Sequence, residues 1–377
     1  MGKSRIRTTI TSTISTIVFA TSFLGAIAGC GGEPAKQNPP PPPPPPPPAT
    51  IPYETLSEYH LFDGSLADMQ PAPGVVRYEV VSPLWSDGAH KQRFIALPEN
   101  QKITFGADET WSFPDGTIIA KHFAFPRDKR EPLGALQHVE TRLLIRDSTD
   151  PEGFTAHTYV WNDEQTEAYR KVAGKHITLD FIDESGAPAT QQYIIPNTNQ
   201  CGNCHERDDT YQALGLVTQQ VNFDLNDSGA IKNQLSRLEN EGLFDAKLPD
   251  VTTLPALSNP SGQDPIEARA RAYLHANCSH CHRPGGGGGL SGLVLLHWEM
   301  EPTKNGVCKG TVAAGAGAGT LEYDVVPGKP EESIMIFRMK STDPEIKMPE
   351  IPNLVPDQAG IALISEWITS LQLPPCQ

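Results

Sequence analysis

The sequence is short of positive charge: 30 lysines and arginines stand against 45 aspartates and glutamates, a net charge of −15 over 377 residues. So acidic a chain lacks the basic face that a phosphate backbone requires, and nucleic acid is not an expected partner. Several catalytic signatures are missing as well. There is no His-Glu-x-x-His pair to hold a hydrolytic metal, and no Ser/His/Asp grouping stands out. The glycine run from Gly285 to Gly289 and the Ala/Gly stretch from Ala313 to Gly319 are followed by no Lys-Ser/Thr and sit between no strand and helix. They read as flexible loops and not as phosphate cradles. Cysteine is sparse, with seven in the whole chain, which makes the position of each one informative.

Four of the seven fall in a short stretch that occurs twice, Cys201-Gly-Asn-Cys204-His205 and Cys278-Ser-His-Cys281-His282. Two cysteines spaced in this way can form thioethers with the two vinyl groups of one haem, and the adjoining histidine then lies beneath the iron. A zinc site would need four ligands closing one tetrahedron, whereas these pairs lie far apart in the chain. A thiol redox pair usually accompanies a βαβ pattern, which is not evident here. The expectation is two covalently bound haem c groups, held by Cys201, Cys204, His205, Cys278, Cys281 and His282.

The N-terminus is consistent with attachment outside the cytoplasm. Lys3, Arg5 and Arg7 precede an uncharged stretch, an apolar run and the small-residue sequence Leu24-Gly-Ala-Ile-Ala-Gly29-Cys30. This is the layout of a signal peptide over residues 1–29, and Ile27-Ala-Gly-Cys30 resembles the lipobox of bacterial lipoproteins, with Cys30 as the lipidated residue. Residues 30–52 then form a spacer containing an unbroken proline run from Pro39 to Pro48, expected to be extended polyproline II. These features predict a lipid-anchored protein on the periplasmic side of the cell envelope. No aspartate follows Cys30, which favours the outer membrane. Lipid and haems use five cysteines, and the remaining two, Cys308 and Cys376, are expected to form a disulfide in that oxidising compartment.

From residue 53 to 207 short β-branched and aromatic runs alternate with Gly, Pro and Asp: Arg93 to Leu97, Gly116 to Phe125, Val139 to Ile145, Thr155 to Trp161, His176 to Phe181, and a last run around Tyr193. They predict an antiparallel β-rich domain ending in the first motif. Residues 208–264 form a connecting segment in which Ile231, Leu235 and Leu238 would share one face of an amphipathic helix, while Gln212 to Phe223 has no clear period. Residues 265–377 hold a helix, Glu267 to Asn277, leading into Cys278, and a second from Pro356 to Leu371. The fold class expected is α+β, a β-rich haem domain followed by an all-α one.

The strings Leu84-Trp-Ser-Asp-Gly-Ala-His-Lys-Gln-Arg-Phe94, Phe113-Pro-Asp-Gly-Thr117, Glu140-Thr-Arg-Leu-Leu144, Tyr159-Val-Trp-Asn-Asp-Glu-Gln-Thr-Glu-Ala168 and Ile195-Pro-Asn-Thr-Asn-Gln-Cys201 resemble a poorly characterised family of exported dihaem c-type cytochromes. The resemblance covers nearly everything after the spacer and implies cofactor content, not a physiological role. The C-terminal part resembles class I cytochrome c, in which a methionine on the loop before the last helix binds iron. That resemblance implies Met348 as a ligand, ahead of Met335 and Met339, whose surroundings suit a helix core. A shorter likeness, carried by Phe113 to Lys121, is to small β-rich c-type cytochromes that oxidise hydroxylamine and whose haem is cross-linked to a lysine. Lys121 falls near that position, and the alternative is a strand lysine facing solvent.

The sixth ligand of the first haem stays open, with His90, His122, His138 and His157 as candidates beside a vacant position. His280, inside the second motif, is expected to face solvent, and His275, just before it, is expected at the surface, the alternative being a hydrogen bond to a haem propionate. The motifs require only an electron carrier working with a redox protein partner in the envelope. The alternative is a haem enzyme acting on a small nitrogen or oxygen species at a five-coordinate first haem.

Overall fold

In the computed structural model, residues 51–106, 111–150, 153–207, 210–227, 230–312, 315–350 and 353–377 are described. The expected signal peptide, Cys30 and the proline run lie outside them. Strands β1 (Phe62–Asp63) and β2 (Gln70–Pro71) form a small hairpin. The next six pair antiparallel in chain order: β3 (Val75–Tyr78), β4 (His90–Ala96), β5 (Ile118–Pro126), β6 (Leu136–Arg146), β7 (Phe154–Trp161) and β8 (Ala168–Arg170). A separate hairpin, β9 (Lys175–Ile182) and β10 (Pro188–Ile195), follows.

The two-residue period of the strands explains how this sheet is covered on both sides. Ile95, Ile119 and Phe154 face one cluster together with Val221, Leu235 and Leu238. Phe94, Ala120, Leu143 and Tyr159 face the other, covered by Leu56, Leu61 and Met69. Each expected strand run overlaps one of these elements, although Leu97 lies past the end of β4 and Gly116 and Thr117 precede β5.

After β10 come α1 (Thr198–His205), β11 (Glu206–Arg207), β12 (Thr210–Tyr211), α2 (Thr218–Val221), β13 (Asp224–Asp227), β14 (Ala230–Asn233) and α3 (Gln234–Asn240). The expected amphipathic helix from Ala230 is shorter than its pattern suggested. Asn233 caps α3 by accepting from Ser236 N, so Ile231 stays in the β13–β14 hairpin and is 74% exposed, while Leu235 and Leu238 are buried. The segment without a clear period holds α2, whose four residues are all buried.

The last helices are α4 (Ile266–Asn277), α5 (Ile334–Lys340) and α6 (Gln358–Ser370), packed around Leu274, Ile336, Ile364 and Trp367. Cys308 and Cys376 are joined by a disulfide. The Ala/Gly stretch expected to be a flexible loop contains a short 3-10 helix over Gly315–Ala318. The fold is α+β, and the described residues belong to one compact unit in which sheet and helices share contacts.

Candidate functional site

The first motif is carried by α1, which starts with a reciprocal cap: Asn197 accepts from Gln200 N (3.0 Å), and the Gln200 side chain accepts from Asn197 N (2.9 Å). Helical spacing then puts Cys201 and Cys204 on one face, with His205 at the helix end. Nδ1 of His205 donates to the carbonyl of Gln212 at 2.8 Å. A carbonyl can only accept, so Nδ1 carries the proton and Nε2 is the free basic nitrogen, the tautomer that binds a metal.

The second motif starts at the C-terminal end of α4. His282 Nδ1 lies 3.1 Å from Ser291 Oγ, and that hydroxyl donates to Gly288 O at 2.6 Å. With its proton so committed, Ser291 accepts from His282, which again leaves Nε2 free. Gly288 is needed for this placement, because a Cβ there would sit 2.9 Å from His282 Nδ1 and 3.0 Å from its Cε1. Burial pushes both His205 and His282 down to about 4, so each imidazole is neutral at pH 7.

The four motif cysteines are partly buried. Burial raises Cys204 to about 11 and Cys278 to about 12. Reactive redox thiols have lowered values, so the surroundings argue against thiol exchange. Among the described residues no three His, Cys, Asp or Glu side chains are grouped to hold a metal ion by themselves. The donors present are those that a covalently attached haem requires: paired thiols followed by a histidine held in the ligand tautomer.

The two motifs touch. Cys281 Sγ is 3.5 Å from Asn203 O, inside the first motif, and Arg283 Nη2 donates to Glu206 O at 3.1 Å. The sequence placed them on separate domains with a connecting segment between; the structure brings them side by side.

A cavity of about 240 Å³ opens in front of the first motif, lined by Cys201, Cys204, His205, Trp111 and Phe154 among others. Lys121 lines it too, so the solvent-facing reading of this lysine is incorrect: the pleat aims Lys121 the same way as Ile119. His275 and His280 also line the cavity and do not lie at the outer surface, because α4 and the second motif form its far wall.

Of the four histidines considered as sixth ligands, His122 is unsuitable. Both its nitrogens are engaged, Nδ1 with Thr141 Oγ1 (2.9 Å) and Nε2 with His138 Nδ1 (2.8 Å). His138 stacks on Trp161 at 4.7 Å, and neither it nor His90 lines the cavity. His157 does line it, with Nε2 held 2.9 Å from Thr155 Oγ1. His275 Nδ1 accepts from His297 N at 3.4 Å, which puts its proton on Nε2. The sequence pointed to strand histidines by proximity in the chain and missed His280, which only the motif-to-motif contact brings into this cavity.

Met335 and Met339 pack against the helical core. Met348 stands on the segment before α6, its N–H donating to Arg338 O at 3.1 Å, and Arg338 is near enough to act on the charge of His282.

The string Leu84 to Phe94 has a mechanical role. Asp87 accepts from Leu354 N (2.9 Å) and Val355 N (2.8 Å), Trp85 Nε1 donates to Val355 O (2.8 Å), and Trp85 N donates to Asn277 Oδ1 (2.7 Å). One turn from the sheet thus ties the residue before Cys278 to the segment between Met348 and α6. Asp87→Ala strands two backbone N–H groups and should lower unfolding stability by about 2 kcal/mol, read as a lower denaturant midpoint.

Comparison of the chain with family models, with curated proteins and with solved structures finds no match.

Proposed function

We propose that this chain is a lipid-anchored dihaem c-type cytochrome of the cell envelope that carries electrons to or from a redox protein partner. The observation that supports it best is the pair of motifs, each with its histidine Nδ1 engaged and Nε2 free, in direct contact through Cys281 and Asn203. Bound there, the two haems would supply one-electron redox chemistry. Cys201, Cys204 and His205 would hold the first, and Cys278, Cys281 and His282 the second.

The chain's own residues do the rest. Gln212 and Ser291 hold the imidazoles in the ligand tautomer, and the Asn203–Cys281 and Arg283–Glu206 contacts keep the two sites together. Met348 would bind the iron of the C-terminal haem together with His282 in this reading. Met348→Ala should then abolish the weak long-wavelength charge-transfer band of the oxidised protein, and an unchanged band would assign the ligand elsewhere.

The enzyme reading draws on the cavity at the first motif. Adding cyanide or nitric oxide to the purified protein separates the two. A carrier is spectrally inert at both haems, whereas ready uptake at one of them at low ligand concentration supports the enzyme.

A further inference from the structure

Register across the sheet puts Arg93 directly opposite Lys121, and Lys121 directly opposite Arg142. Three cations thus form one row across β4, β5 and β6, and all three line the cavity of the first motif. Like charges directly opposite one another on neighbouring strands destabilise a sheet. In a chain of net charge −15, no composition bias toward cations explains such a row.

The outer two are partly compensated. Arg142 is 2.5 Å from the buried Glu140, and Arg93 is 3.5 Å from Glu79. Lys121, in the middle, has no hydrogen bond or ion pair with any described residue; Nζ has only the Phe123 ring, 5.0 Å away. Burial, with repulsion from Arg93, Lys91 and Arg142, holds its ammonium well below the usual lysine range. Among the described residues no Asp or Glu lines the cavity.

We infer that the Arg93–Lys121–Arg142 row is an anion-binding site, with Lys121 as the residue that receives a carboxylate or small oxyanion entering the cavity. An ammonium half-buried here without a counter-ion gives up its proton readily, and an anion in front of it restores the charged form by supplying the missing charge and hydrogen bonds. The same chemistry has two sources, a carboxylate of the haem proposed above or a free oxyanion, and the inference rests on that reading only for the first.

The test uses the holoprotein and Lys121→Met, which keeps most of the side chain's length without its charge and relieves repulsion, so the variant should fold. Azide and nitrite are titrated into both proteins by calorimetry and absorption, and the reduction potentials of both proteins are measured. If the source is a free oxyanion, the parent protein binds the probe and the variant binds it about tenfold or more weakly. If the source is the haem's own carboxylate, neither protein binds the probe, and the variant's first haem has a lower potential because a neighbouring cation is gone. Equal probe binding and equal potentials in the two proteins overturn the inference. Colourless protein would instead count against the proposed function, and calorimetry would still read the cavity.

Discussion

Gly360→Val should strongly destabilise the helical part of the molecule. A Cβ at this position would lie well inside contact distance of Tyr273 Oη and Cζ, so α4 and α6 cross with no room for a side chain. Tyr273 cannot swing away freely, because its hydroxyl donates to Asp357 Oδ2 (3.0 Å), and Asp357 caps α6 by accepting from Gly360 N (3.0 Å). The same crossing is fastened further along by Trp367 Nε1 donating to Glu267 Oε2 at 2.6 Å. Overpacking against a ring fixed in this way costs about 3 kcal/mol. Because α4 leads directly into Cys278, the loss should be seen both in the denaturant midpoint and in poor loading of the C-terminal haem. A valine variant with an unchanged midpoint would mean that the helices do not cross in this way.

Replacing Cys201 and Cys204 together by serine should give a protein with one haem in place of two. Haem absorbance should fall by about half, and the intact mass by one porphyrin. Replacing Cys278 and Cys281 should do the same and also remove the charge-transfer band assigned to Met348. Since the motifs touch, neither loss should be silent at the other site. Removing the second pair takes away the Cys281 contact with Asn203, and the first haem's potential should move with it. Full haem content in either double variant would sink the assignment of that motif.

The elements carrying these predictions differ in how readable they were. The strand runs were legible because they are short, rich in β-branched and aromatic residues and bounded by Gly, Pro and Asp, and α6 because its apolar residues recur at helical spacing. Ile231 misled because a periodic face ignores a cap: Asn233 starts the helix three residues later than the pattern does. The motif residues could be singled out by spacing alone, since cysteine and histidine at fixed intervals need no tertiary information. What surrounds them was not. Lys121 and His280 were read as surface residues, and both face the cavity because segments nearly eighty residues apart, Asn203 and Cys281, are brought together. The role of Asp87 was likewise invisible, since its partners Leu354 and Val355 lie 267 and 268 residues further along the chain.

Intact-mass analysis combined with the absorption spectrum, on protein expressed in a host that attaches haem to exported cysteines, tests the central claim most directly. The account predicts a red protein whose mass exceeds that of the processed polypeptide by two porphyrins, with c-type bands in the reduced state. A colourless product from that host, with the mass of the polypeptide alone, would contradict it.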